Sequence, residues 1–209
     1  YQQLIMIYTI VQAILIFGMP QSLLYYFPRK ETHEHPLLIK QTWTILLFSS
    51  LMVMAIFWLS SQIIGTHHLK EYLVLLGIYT SLMIFVMPIQ NLLTLEGKIS
   101  TAMWLMVFFT IIDLAVLPSA AWLNPTTLGI VHGIIVAALL KAIMVLFHVY
   151  TTYFTKEISG NSYIKEQLAY GIPVGLTAMV YVINVNVDKY LVGLFFSSSV
   201  FAVYYLGSL

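Results

Sequence analysis

The chain has 209 residues, of which 60% are hydrophobic and only 8% charged, and its mean hydropathy is +0.92. A water-soluble domain carries about 25% charged residues, so a cytosolic enzyme is excluded, and 9 Lys and Arg against 8 Asp and Glu leave no basic patch for nucleic acid. With no Cys, disulfide frameworks, thiolate metal sites and thiol catalysis are excluded too.

What remains is an all-α, polytopic membrane helix bundle. A transmembrane helix takes about 20 mostly apolar residues, and breaks at the charge clusters give six spans and a stub. The first, Leu4–Phe27, begins just after a Tyr at position 1, so the chain reads as an internal piece of a longer protein, and no charged leader precedes it. The longest linker, Pro28–Gln41, leads to Thr42–Gly65. His67, His68 and Lys70 precede the third span, Tyr72–Leu95. The Glu96–Lys98 turn leads to Ile99–Leu123, and a tight Asn124-Pro125 turn to Leu128–Phe154. The Thr155–Gln167 loop opens the sixth span, Leu168–Phe196, and a stub runs from Ser199 onward. Continuous apolar runs such as Leu46–Leu59 contradict the strict alternation of a barrel. The alternating stretch Val182–Asp188 lies inside a long apolar segment and reads as helix. Linkers this short leave no room for an extramembrane domain, so function belongs in the bilayer or at its faces.

Loops alternate sides. Arg29, Lys30, Lys40, Lys98, Lys156 and Lys165 fall on one side, against Lys70 and Lys189 on the other. Basic residues favour the cytoplasm, which places loops 28–41, 96–98 and 155–167 there. The first visible span then runs inward, and one missing helix before it is the simplest arrangement.

Polar groups within the spans are the functional hints, because charges in mid-membrane are costly. Lys141 and Asp113 each sit about 20 Å from a span end at 1.5 Å per residue, on antiparallel neighbours. A Lys141–Asp113 pair is expected, either as a structural ion pair or as a cavity charge meeting an anionic headgroup or a coupling proton. His148 shares the Lys141 face and is a candidate for lining a cavity, whereas His132 falls on the opposite face. His33, Glu34 and His35, and the His67-His68 pair, lack the spacing of a helical metal site, so no metal is expected. Gly171-Ile172-Pro173-Val174-Gly175 interrupts the sixth span, and Pro20, Pro88 and Pro118 interrupt others; such breaks mark moving parts in transporters. Asn184 and Asp188, four apart, share a face. Gly129/Gly133 and Gly171/Gly175 have the spacing of close helix packing. Tyr25, Tyr26, Tyr150, Tyr153, Tyr204 and Tyr205 cluster near span ends, as an interfacial belt would, and tyrosine faces also stack on sugars.

Three stretches carry a resemblance. Phe17-Gly18-Met19-Pro20-Gln21-Ser22-Leu23-Leu24-Tyr25-Tyr26-Phe27-Pro28-Arg29 resembles the second helix of polysaccharide exporters and O-antigen flippases. Leu95-Glu96-Gly97-Lys98 is similar to that family's basic turn between helices four and five. Lys165 through Pro173, then Val187-Asp188-Lys189-Tyr190-Leu191-Val192-Gly193 and Val203-Tyr204-Tyr205, resemble the start of its second lobe. The family belongs to the multidrug/oligosaccharidyl-lipid/polysaccharide exporter superfamily. The resemblance implies a transporter of 12–14 helices in two lobes, working by alternating access, and the charge-derived orientation fits it. Residues 1–160 would then hold the first lobe without its first helix, and 161–209 the start of the second.

The function implied is flipping of a polyprenyl-diphosphate-linked oligosaccharide across the cytoplasmic membrane, with proton or sodium coupling and no cofactor. Partners are the lipid-linked oligosaccharide and membrane lipids. Lys141 and His148 would meet cargo, Asp113, Asp188 and Asn184 would couple the ion, and Gly171, Pro173 and Gly175 would form a hinge. A drug or metabolite cation antiporter of the same superfamily is the near alternative, favoured by an unpaired Asp113. A membrane glycan polymerase or acyltransferase is the distant one, and a multipass scaffold has no need of a mid-membrane Lys.

Overall fold

A computed structural model describes residues 16, 18–63, 67–155 and 162–196, together with positions 200, 203, 204 and 207. Helix α1 (Met19–Tyr26) runs into a 3-10 turn at Phe27–Arg29, followed by α2 (His35–Ile63), α3 (His67–Val86) and α4 (Pro88–Leu95). Helix α5 (Ile99–Leu123) turns into α6 (Thr127–Val149), which ends in a π-helical turn at Tyr150–Phe154, and α7 (Ile164–Phe195) completes the order. No strand occurs among the described residues. Among the described residues, five stretches are long and apolar enough to cross a membrane: His35–Ile63, Lys70–Leu95, Ile99–Leu123, Thr127–Phe154 and Ile164–Lys189. In hydrocarbon the backbone has no water to bond, so helices that satisfy themselves are the natural solution.

The expected fourth span matches α5 end to end, and the others shift for local reasons. Most of Leu4–Phe27, and most of the chain from Ser199 onward, lie outside the described residues. Helix α2 starts at His35 rather than Thr42, because Pro36 suits a first turn, where its missing N–H is no loss. Leu37, Leu38 and Ile39 are buried at once. Pro88 divides the third span at Met87, as a residue without an N–H does. Pro118 and Pro173 behave otherwise. Both lie inside continuous helices, so Gly171–Gly175 does not break α7 as expected. Membrane helices tolerate Pro at the cost of one backbone hydrogen bond, at Pro173 the one that the Ala169 carbonyl would otherwise accept.

Small residues set the packing. A Cβ on Gly77 of α3 would fall 2.7 Å from the Phe57 Cβ of α2. Beside this contact Ser50 and Ser81 each donate to the other's carbonyl, at 3.2 and 3.0 Å. Helix α6 lies on α5 through Gly133, where a Cβ would meet that of Ala120 at 2.5 Å. Gly129 sits as closely on the Asn124 carbonyl, and its N–H is capped by the Thr126 hydroxyl at 3.1 Å. Met19 and Leu23 of α1 are fully buried, and they join α1 to two apolar clusters centred on Leu46 and Ile84, and on Leu38, Ile89 and Leu92. Outward faces carry Phe48, Leu51, Trp104, Leu114 and Phe147, all exposed, as hydrocarbon requires.

Helix α7 is joined to the rest through α1. Gly18, at φ 58°, lies so close that a Cβ would come within 2.3 Å of the Gly171 carbonyl oxygen and 3.1 Å of the Gly175 nitrogen. The Gly-x-x-x-Gly spacing thus does bring two backbones together. Gly18→Ala should therefore destabilise the protein more than Gly97→Ala. Both leave an L-residue at positive φ, costing roughly 1–2 kcal/mol, but Gly97 (φ 74°) has nothing within 4 Å to clash with. Thermal unfolding of the two variants in detergent checks the ranking.

Candidate functional site

Where α1, α4 and α7 meet they leave a cleft of about 440 Å³. Gly18 and Pro20 form one edge, Gly175, Ala178 and Val182 of α7 the opposite wall, and Gln21, Gln90 and Asn91 supply the polar groups. None of the described lining residues is charged. Local sequence explains the placement. The αL conformation of Gly18 and the Pro20 behind it start α1 just before Gln21, and Pro88 restarts the helix just before Gln90 and Asn91. Small residues on α7 keep the space open. A larger cavity of about 550 Å³ between α2, α3 and α6 is lined by aromatic and aliphatic side chains such as Trp43, Phe85 and Phe147, which suits hydrocarbon.

At the end of the bundle bearing Arg29, Lys30 and Lys165, a dense clamp ties α7 to α1 and α2. Gln41 accepts the Tyr163 N–H at 2.8 Å and donates to Ser162 Oγ at 3.3 Å. Gln167, fully buried, donates to the Leu38 carbonyl at 3.2 Å and lies 3.4 Å from the Thr42 hydroxyl. Tyr163 donates to Glu34, and Lys30 Nζ sits 3.8 Å over the Tyr163 ring and 3.7 Å from Glu166. Tyr25 stacks on Tyr170 at 4.4 Å, and Tyr26 meets the same ring edge-on at 5.9 Å. So Tyr25 and Tyr26 pack on α7 rather than serving only as a belt. The hydrogen bond from Tyr163 holds the Glu34 carboxyl below its ordinary range, and the same bond pushes Tyr163 up to about 12.

The sequence-derived candidates divide among several places. Lys141 and Asp113 do meet, with Nζ 2.6 Å from both carboxylate oxygens. The lysine is buried on α6, and the Asp113 side chain, 42% exposed, sits on α5. Neither lines the cleft. His148 is half-buried and its Nε2 has no partner. It borders a separate cavity of about 160 Å³ between α4, α5 and α6. Nearby, Tyr153 donates to Glu96, whose other oxygen lies 2.9 Å from Lys98 Nζ. Asp188 is exposed and accepts from Tyr204 at 2.6 Å, with Asn184 one turn away. Of the hinge candidates, Gly175 lines the cleft and Gly171 lies under Gly18, while Pro173 is exposed. Gln21, Gln90 and Asn91 were missed. Their only signal was a carboxamide one to three residues after a helix-starting Pro. The loop residues go to local partners: His35 stacks on Phe27 at 3.8 Å, and His33 lies 3.3 Å from Glu31.

Two predictions follow from these contacts. Asp113→Asn leaves a buried lysine unpaired and should destabilise the fold by about 3 kcal/mol, whereas Asp113→Leu with Lys141→Met should recover most of that loss; a double-mutant cycle on unfolding in detergent measures both. The Glu34–Tyr163 bond has a defined pH window. Because the Glu34 value is lowered, its contribution is full above the ordinary carboxylate value of 4.5 and is lost as pH falls through the lowered one. Because the Tyr163 value is raised, its contribution is full below 10.0 and is lost as pH rises through about 12. Hydrogen exchange in segment 30–34 should rise at the acid end, and should be raised at neutral pH in Tyr163→Phe.

Comparison with known proteins places this geometry. No curated protein and no solved structure matches the chain. A family model described as polysaccharide biosynthesis protein matches residues 1–208. The chain belongs to the polysaccharide biosynthesis protein family and, with five helices long and apolar enough to cross a membrane among the described residues, is a multi-pass membrane protein.

Proposed function

We propose that the protein flips a polyprenyl-diphosphate-linked oligosaccharide across the cytoplasmic membrane by alternating access, and that the cleft between α1, α4 and α7 is where the glycan passes. In this reading residues 1–160 belong to a first lobe and α7 opens a second. The loops 28–41, 96–98 and 155–167 face the cytoplasm, and the clamp is the closed cytoplasmic gate beneath the cleft.

The observation that carries the reading is the chemistry of the cleft. Gln21, Gln90 and Asn91 supply polar groups, and none of the described lining residues is charged. A carboxamide both donates and accepts, which matches sugar hydroxyls, each also donor and acceptor. A cation exporter needs a carboxylate at its binding site, and the mid-membrane Asp113 is already committed to Lys141. That pairing also neutralises the lysine as a phosphate ligand, so the diphosphate stays at headgroup level while the sugar enters the cleft and the lipid tail remains in hydrocarbon. Transport of this kind makes and breaks no bond. For ion coupling, Asp188 with Asn184 is the candidate site that remains in reach of solvent.

The test is complementation of a strain lacking its own O-antigen flippase with the full-length protein. Surface glycan should be restored. Gln90→Ala and Asn91→Ala should each lower it about five- to tenfold at normal protein level, the worth of one hydrogen bond of ~1 kcal/mol. Gln90→Glu separates the rivals: it should impair glycan export, whereas a cation exporter would gain from the new carboxylate. No restoration by the unmutated protein, together with raised resistance to cationic drugs, would move the antiporter ahead.

A further inference from the structure

Helix α7 has three chemically distinct faces. At 100° per residue, Gly171, Gly175, Ala178 and Val182 share an arc of about 60°, the one applied to α1 and the cleft. Between positions 172 and 187, Ile172, Leu176, Met179, Val180, Ile183 and Val187 share a second arc of about 100° that contains only apolar side chains. The third is polar. Glu166, Tyr170, Thr177, Tyr181, Asn184 and Asp188 fall within about 60° of one another. From the first to the last of them, at 1.5 Å per residue, the stripe runs about 33 Å, close to the ~30 Å of a hydrocarbon core.

This stripe is occupied at one end and open at the other. Glu166 and Tyr170 are engaged in the clamp by Lys30, Tyr26 and Tyr25. Beyond the clamp, Thr177, Tyr181, Asn184 and Asp188 are exposed, Tyr181 to 67%. Their remaining partners lie within α7 or just beyond it: the Thr177 hydroxyl on the Pro173 carbonyl, and Asp188 on Tyr204. Polar side chains at these depths are costly against lipid, although the next arc of the same helix is suited to lipid throughout. The stripe therefore belongs on a side of α7 turned away from lipid.

We propose that this stripe is a membrane-long track for the sugar, with Tyr181 as the residue that reads the glycan. The proposal rests on the transport function proposed above and extends it from the cleft to a second wall. Aromatic faces alternate along the track with hydroxyl, amide and carboxylate groups, the combination that covers a sugar's C–H face and its hydroxyls. Tyr170, one ring further in, is held by Tyr25 while the clamp is closed. Opening the clamp would free it, so that the same track serves both sides of the membrane in turn.

The chain has no cysteine, so single cysteines report cleanly. In the full-length protein, Thr177→Cys, Tyr181→Cys, Asn184→Cys and Asp188→Cys should react with a membrane-impermeant maleimide about tenfold faster than Leu176→Cys, Val180→Cys and Ile183→Cys, because reaction requires aqueous access. Equal rates, or an unreactive stripe, would overturn the track. Export then tests the occupant. Tyr181→Ala should lower surface glycan about tenfold, the equivalent of one lost ring contact, while Tyr181→Phe should stay within about twofold, since the ring rather than the hydroxyl covers the sugar. A reactive stripe with undiminished export by Tyr181→Ala overturns the sugar as its ligand. Failure of the unmutated protein to export any glycan is a different result, since it defeats the transport function while the labelling pattern is read independently.

Discussion

Hydrocarbon offers a polar group no partner, and this constraint organises the whole structure. The backbone answers it with helices. The hydroxyls of Thr42, Thr44, Thr80, Thr110 and Thr151 answer it by donating to the carbonyl four residues earlier in the same helix. Ser50 and Ser81 answer it across two helices, each donating to the other's backbone. Lys141 and Asp113 answer it by neutralising one another. Interhelical hydrogen bonds of the Ser50–Ser81 kind are worth only about 0.6 kcal/mol each in a bilayer, so they position helices more than they bind them.

Close approach depends instead on what side chains leave out. Gly18, Gly77 and Gly133 each sit where a methyl group would collide with the next helix. Of these, the Gly18 contact has the most consequence. It brings α1 against α7 at a single level, with the clamp on one side and the cleft on the other. A clamp of side-chain hydrogen bonds, stacked tyrosines and one exposed ion pair can be broken in small steps. The exposed pair, with Glu166 52% exposed, adds little. A contact between backbones has no comparable intermediate, so Gly18 on Gly171 and Gly175 is suited to act as a fulcrum about which the clamp opens.

Sequence showed the fold well and the site poorly, for a physical reason. Membrane spans announce themselves by length and apolarity, so α5 could be read to the residue and α7 to within four, while α2 starts seven residues earlier than expected and the third span is two helices. The antiparallel turn at Asn124-Pro125 put Lys141 and Asp113 at one depth, and that was enough to pair them. Charge was the search signal for function, and charge led to Lys141 and Asp113, which the protein spends on one another outside the cleft. The polar groups of the cleft are amides, set among glycines and apolar side chains. A Gln or Asn in a span carries no strong signal of its own, and Gln90 is distinguished only by which way Pro88 directs the restarted helix. Pro173 misled for the converse reason. Its missing N–H looked like a break, but the helix runs through it.

In the proposed route, an uncharged cleft also suits the energetics of moving a sugar. A cargo held by full charges in a low-dielectric cleft would be bound strongly and released slowly, because breaking each charge-assisted bond exposes a buried ion. Amides, hydroxyls and ring faces replace a few strong contacts with many weak ones, and the amides and hydroxyls donate and accept as the displaced water does. A hydroxyl-rich chain can then shift from Gln21 and Asn91 on one wall to Tyr181 and Asn184 on the other without a deep trap. Charge is kept where specificity of state rather than of cargo is needed. Lys30, Glu34 and Glu166 gather at the clamp, where the choice is only open or closed, and Asp188 stands at the far end of α7, where a bound cation could bias that choice.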